Sequence, residues 1–326
     1  MKCYRFRSIV LPALLAVFSA SVSTSRAQDC TSIATEVTFY FGIETPQPDV
    51  NHPVTVDLFH TDLEVSFTPA GWDVLVSYDE PGSGTGGRDV PPEAALLYGS
   101  VNARVNLPSI PPGFGFIGAD AGETFWVLPQ NEGNAALPLG VAAERTDAAR
   151  LCAWNPGDLR GADLPDRWFR MELLGVRGPA GGEFSMWQAD GVQPPIVYVS
   201  TTDGIGADDV YHISSDSHVH MNWGFTEPGL YEVDFLISTV YRCDGSLTAD
   251  VAPRLDGVYA GDCRVDFHDV ALLGLHWLNS DCQEQPDLCE GTDLFDAGDG
   301  SVNSFDLTVL AQQWLACGYP GCETDN

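Results

Sequence analysis

Apolar and polar residues alternate with a period of two through most of this chain. The runs Val37–Phe41, Val54–Leu58, Trp72–Tyr78 and Ile196–Ser200 are short and rich in β-branched and aromatic residues, which predicts strands. The clearest run is the last. Tyr231, Val233, Phe235, Ile237, Thr239 and Tyr241 alternate with Glu232, Asp234 and Ser238, so one face is expected to be buried. Pro228-Gly229 supplies the turn before it. Gly82–Gly87 and Pro108–Gly113 read as loops, and helical periodicity is nearly absent before Tyr241. The expected class is mainly β, a β-sandwich-like domain.

Beyond Tyr241 the pattern changes. Ala260-Gly-Asp262 returns as Ala297-Gly-Asp299, Val265 as Val302, Asp269 as Asp306, Leu273 as Leu310 and Trp277-Leu278 as Trp314-Leu315, an ungapped offset of 37. Val270, Leu273 and Trp277, and in the second copy Leu307, Leu310 and Trp314, have helical spacing. Each repeat therefore predicts an acidic loop running into an amphipathic helix, with Leu310 and Trp314 burying against Leu273 and Trp277. The expected division is 1–27 leader, 28–241 β domain, 242–254 linker and 255–322 repeat pair.

The leader reading rests on Lys2, Arg5 and Arg7, the apolar run Ile9–Ala20 and the small residues of Ser25-Arg26-Ala27 before Gln28. That order describes a cleaved secretory signal, too short to span a bilayer. The expected location is secreted or cell-surface, with no transmembrane segment in the mature chain. The formal net charge is −31, and the four basic residues of the leader depart with it. Such acidity excludes nucleic acid as a partner and favours divalent cations. Of nine cysteines Cys3 lies in the leader, and the eight others suit disulfides in an oxidising compartment. Their connectivity is open at this stage.

An EF-hand loop takes calcium ligands from positions 1, 3, 5, 7, 9 and 12, with glycine at 6. Setting Asp306 at position 12 puts Asn303 at 9, the Ser301 carbonyl at 7, Gly300 at 6 and Asp299 at 5. The first repeat supplies Asp269, Asp266, Arg264, Cys263 and Asp262 at the same places. Position 1 falls on Phe295 and Val258, which cannot bind calcium. Acids two residues earlier, Asp293 and Asp256, are candidate substitutes, and Asp296 is another in the second repeat. Residues 255–322 resemble dockerin type I repeats, and the late Trp-Leu is similar to dockerin-type tails of exported planctomycete proteins. The resemblance implies calcium and a cohesin-like or other envelope partner.

The segment Ser217–Tyr231 resembles the signature of the choice-of-anchor M domain. His60–Leu63, Trp72–Val74, Ala95–Tyr98, Trp126–Gln130, Glu183–Trp187 and Ser200–Gly204 agree in order. The resemblance covers about residues 35–241 and implies an exported domain joined to an anchoring device, with no established reaction. Read as one strand, the segment points His218, His220 and Asn222 one way and Val219, Met221, Trp223 and Phe225 the other. The two imidazoles would then lie about 7 Å apart on one face. His60 and Asp62 form a similar pair. If the strands are neighbours, three histidines and one aspartate suit a transition metal such as zinc. Inter-strand hydrogen bonding or a polar ligand is the competing expectation.

The sequence has no Gly-x-Ser-x-Gly elbow and no His-Glu-x-x-His, while glycosidase-type carboxylate pairs stay open because only geometry identifies them. The expectation is a non-enzymatic surface or binding protein displayed or docked through a calcium-stabilised dockerin-like α module of two loop-helix repeats. The alternatives are an accessory component of extracellular polysaccharide degradation and a metal-capturing surface domain.

Overall fold

The computed structural model describes residues 30–45, 51–57, 60–79, 87–131, 136–191, 193–243, 247, 249–251, 263–282, 289, 292–295 and 299–317. The expected leader, Asp256, Asp262 and Asp296 lie outside these residues.

Two long strands organise the chain. β1 (Cys30–Ile43) and β16 (Gly229–Arg242) pair antiparallel over their whole length, from Cys30 opposite Arg242 to Ile43 opposite Gly229. The alternation expected for Tyr231–Tyr241 is what buries β16 on one face. These strands centre a six-stranded sheet, ordered β13 (Val210–Ser214), β10 (Trp168–Arg177), β16, β1, β6 (Ala95–Gly99) and β2 (Val54–Val56).

Two five-stranded sheets face it. The second sheet runs β12 (Ile196–Ser200), β11 (Phe184–Gln188), β15 (Asn222–Phe225), β8 (Thr124–Leu128) and β7 (Arg104–Asn106). The third runs β14 (His218–His220), β9 (Leu139–Ala142), β3 (Thr61–Thr68), β4 (Gly71–Tyr78) and β5 (Arg88–Val90). At one end of β1, Phe41 meets Phe184, Trp223 and Phe225 of the second sheet. At the other end of the large sheet, Tyr241 meets Phe67 and Phe169 meets Trp72 of the third. One apolar core therefore joins all three sheets. The Tyr231 hydroxyl donates to the Glu227 carbonyl and accepts from the Glu227 amide, a tyrosine corner of the kind that closes β-sandwiches.

The segment 217–225 is not the single strand its alternation suggested. It divides at Met221, with β14 in the third sheet and β15 in the second. Met221, Trp223 and Phe225 are fully buried, as expected, but Val219, expected in the core with them, is only half-buried. Asn222, however, leaves the histidine face, accepting from the Gln130 amide and donating to Gln130 Oε1. The chain crosses between sheets here, and a crossing breaks the two-residue period.

Disulfides join Cys30 to Cys152, Cys243 to Cys263 and Cys282 to Cys289, and Cys317 is also disulfide-bonded. The Cys243–Cys263 bridge ties the end of β16 to the C-terminal part, where Cys263 packs against the main core. Part of the expected linker belongs to the tail. Ala249 is fully buried in its core, and Val251 N donates to Asp269 Oδ1.

The tail has two helices, α1 (Phe267–Leu275) and α2 (Ser304–Gln312). Both open with a capping box, Asp266 with Asp269 and Asn303 with Asp306. Leu278 N donates to the Val302 carbonyl and Leu315 N to the Val265 carbonyl, so each repeat closes on the other. Leu273 and Leu310 are buried between them, as expected. Trp314 packs edge-on against Phe267 at 5.0 Å, but Trp277 remains exposed. The reason is the partner ring: the residue equivalent to Phe267 in the second repeat is Ser304. Among the described residues no helix is long and apolar enough to cross a membrane.

Candidate metal centre

The third sheet brings His60, Asp62, His218 and His220 to one place. β3 runs parallel to β9 with Asp62 opposite Gly140, and β14 runs antiparallel to β9 with His220 opposite the same Gly140. Asp62, Gly140 and His220 thus form one row across three strands. Leu63, Val65 and Phe67 point into the core, leaving Asp62, Glu64 and Ser66 on the other face. His60 stands just before β3, and His218 lies one residue pair along β14.

Gly140 makes the convergence feasible. Side chains two strands apart do not normally touch. A Cβ at Gly140 would run into Asp62 Oδ1 and come within 2.9 Å of His220 Cδ2. Without it, the flanking side chains lean together over the middle strand. An isolated glycine in a strand is a general sign of such close approach.

His60 Nε2 and His220 Nε2 are 2.9 Å apart. His218 Nε2 lies 2.8 Å from Asp62 Oδ1, and His220 Nε2 lies 3.6 Å from it. The four ligand atoms all fall within 4.8 Å of one another. Among the described residues this is the one such group of three or more His, Cys, Asp or Glu side chains. On its far side, His60 Nδ1 faces Asp62 Oδ2 at 3.7 Å and Asp79 Oδ2 at 3.9 Å. Carboxylates beside the second ring nitrogen commonly orient metal-bound histidines.

The electrostatics favour a bound cation. Burial raises the Asp62 pKa, although His218 and His60 pull against it. Burial, with His60 and His218 nearby, lowers His220 to about 4. His220 is therefore neutral at neutral pH, with a lone pair available. Asp62 Oδ1 is buried without a hydrogen-bond donor, because the His218 approach is off the hydrogen-bond direction. An unsatisfied buried carboxylate oxygen is costly, and a cation among the four atoms would satisfy it. Three imidazoles and one carboxylate suit zinc or another borderline divalent ion. Four protein ligands leave no open position of the kind catalytic zinc sites keep.

The acids of the repeats have other occupations. Asp306 is fully buried and accepts from the amides of Leu294, Phe295 and Asn303. Asp269 accepts from Val251 and Asp266. Asp293 accepts from Asp299 and Gly300, and the Ser301 carbonyl accepts from the Asn303 amide group. Arg264 forms a β-bridge to Cys317. The expected position-9 and position-12 residues thus cap helices. The spacing of Asp266 to Asp269 and of Asn303 to Asp306 carried that signal in the sequence. Burial, Asp306 and Asp299 together raise the Asp293 pKa, so the second loop still concentrates negative charge. In the first loop Cys263 adopts φ 68°, the conformation Gly300 holds at φ 90° in the second. The backbone repeat survives there at the strain a side chain incurs in that region.

The chain matches no protein-family model, no curated protein and no solved structure.

Proposed function

We propose that this chain is an exported, non-enzymatic binding protein whose β domain captures a divalent transition metal of the zinc class through His60, Asp62, His218 and His220. The observation that supports the reading is the convergence of four donor atoms from two separate chain segments over a glycine that leaves room for them. A four-ligand site with no vacant position is suited to holding an ion rather than to catalysis. The C-terminal repeat pair is the display or docking module of this reading. Its exposed Phe267, Leu275, Leu278 and Phe305 suit a partner surface. Calcium belongs to the second repeat, where Asp293, Asp299 and Asp306 crowd one loop.

The test is calorimetric titration of the metal-free full chain with zinc, followed by metal analysis. The expected result is one zinc per chain, lost in His218→Ala and His220→Ala. A folded wild-type chain that takes up no zinc would sink the metal reading.

A further inference from the structure

The open side of the sandwich carries a second polar cluster, away from the metal ligands. β12 and β13 are edge strands of different sheets, and a cavity of about 290 Å³ lies between them. The loop carrying Arg160 fixes its mouth. Arg160 donates to Asp158 and to the carbonyls of Val197, Tyr198, Asp208 and Val210. The guanidinium thus staples both strands, and its charge is matched by Asp158. Among the described residues no unpaired charge lines the cavity.

His212 is the group this arrangement presents. Its side chain is buried, and Nδ1 lies 3.1 Å from Asp158 Oδ2. A neutral imidazole beside a carboxylate keeps its proton on that nitrogen, which leaves the Nε2 lone pair free. Among the described residues no group hydrogen-bonds to Nε2, and His212 lines the cavity. Nearby, Ser214 and Ser217 share one hydrogen bond of 2.6 Å. Two hydroxyls bonded once to each other still offer a proton and spare lone pairs. Trp168, Tyr198 and Val219 supply apolar wall.

We propose that this cavity binds a single neutral sugar ring. The walls call for an uncharged ligand, and the charge of −31 further disfavours anions. His212 Nε2 calls for a hydroxyl donor, the serine pair for hydroxyl acceptors, and the aromatic wall for a face of C–H groups. The site stands back to back with the metal cluster. On and beside β14, Ser217 and Val219 face the cavity, while His218 and His220 face Asp62. The two sites use opposite faces, so sugar binding does not require the metal.

The experiment is an NMR titration of the isotope-labelled full chain, with zinc and with chelator. The probes are the methyl glycosides of glucose, galactose, xylose and N-acetylglucosamine, with indole as an apolar control. At least one glycoside should shift the His212 and Trp168 ring signals saturably, equally in both metal states. Ile196→Trp narrows the mouth from an exposed position, and Ser217→Ala removes one hydroxyl. Each should weaken binding by about tenfold, about 1.4 kcal/mol. The proposal is overturned if no glycoside shifts His212, if indole alone does so, or if neither variant weakens binding. A sugar response without zinc uptake would retain this site and remove only the metal reading.

Discussion

His220 and His60 face each other through their Nε2 atoms at 2.9 Å, with Asp62 Oδ1 3.6 Å from the first of them. Two neutral rings can share only one proton across that contact. A divalent ion accepts both lone pairs and satisfies the carboxylate oxygen as well. Zinc at one hundred times its dissociation constant should therefore stabilise the fold by about 2.7 kcal/mol. Thermal unfolding in zinc and in chelator measures this. Identical midpoints for wild type would remove the site, and an unchanged zinc response in His220→Ala would move it elsewhere.

Gly140 has no ligand atom of its own, which makes it a clean probe of geometry. In Gly140→Ala the new methyl pushes Asp62 and His220 apart. Zinc affinity should fall by about tenfold or more, a cost of at least about 1.4 kcal/mol. The circular dichroism spectrum of the chelated protein should stay that of a β fold. Undiminished zinc binding in this variant would show that the cluster assembles without the cradle.

Asp306 separates capping from calcium binding. Asp306→Ala strands three amide donors and should cost about 3 kcal/mol or more in the tail even in chelator. Asp306→Asn keeps an acceptor oxygen at N3 but removes the charge. It should melt closer to wild type in chelator and lose the calcium-dependent gain in midpoint. A full calcium response in Asp306→Asn would place the ion outside the second loop.

Acid should destabilise the β domain, and the His212–Asp158 pair contributes in two pH windows, the upper one shared with His220. Burial lowers the His212 pKa below the usual histidine value of 6.5, against the opposing pull of Asp158. The unfolded state then binds the proton more readily, so stability is lost as pH falls below 6.5. Asp158 is held at about 2, where Arg160 and His212 outweigh the opposing effect of burial. Its contribution is complete above the usual aspartate value of 3.8 and disappears as pH falls through about 2. Urea midpoints against pH should show both windows, and Asp158→Asn should make the lower one shallower, with Glu44, Asp89 and Asp234 supplying the rest. The same acid slope in that variant would exclude Asp158 as its source.

The two repeat tryptophans should differ despite equal positions in sequence. Trp314→Ala loses the Phe267 contact and should cost about 2 kcal/mol, less than a fully buried tryptophan. Trp277→Ala should stay within about 1 kcal/mol, as surface changes usually do. Equal losses in thermal unfolding would contradict the asymmetric packing.

Strand periodicity made the inward face of β16 legible because each face of that strand keeps one environment almost throughout. β3 was harder to read. Leu63, Val65 and Phe67 alternate with Asp62, Glu64 and Ser66, but every residue from Thr61 to Phe67 is buried, so the alternation does not reveal that the polar face is covered too. The metal candidates were legible as two same-face pairs, yet their adjacency depended on β9, which no residue of the motif touches in sequence. Gly140 was silent for the same reason, since its role is a property of its neighbours. The His212 dyad joins a loop to a strand 54 residues later, a distance over which local pattern carries no information.

The crossed bonds of the tail have a consequence for assembly. Leu278 binds Val302 and Leu315 binds Val265, with Val302 returning to Asn279 and Val265 to Ala316. This is the arrangement of a twofold-symmetric dimer whose subunits are joined end to end. A peptide carrying only one repeat would hold half of each bond pair and could complete them with a second copy of itself. Pairing between two chains and closure within one are then alternatives governed by concentration, and the covalent link between repeats is what favours the closed form.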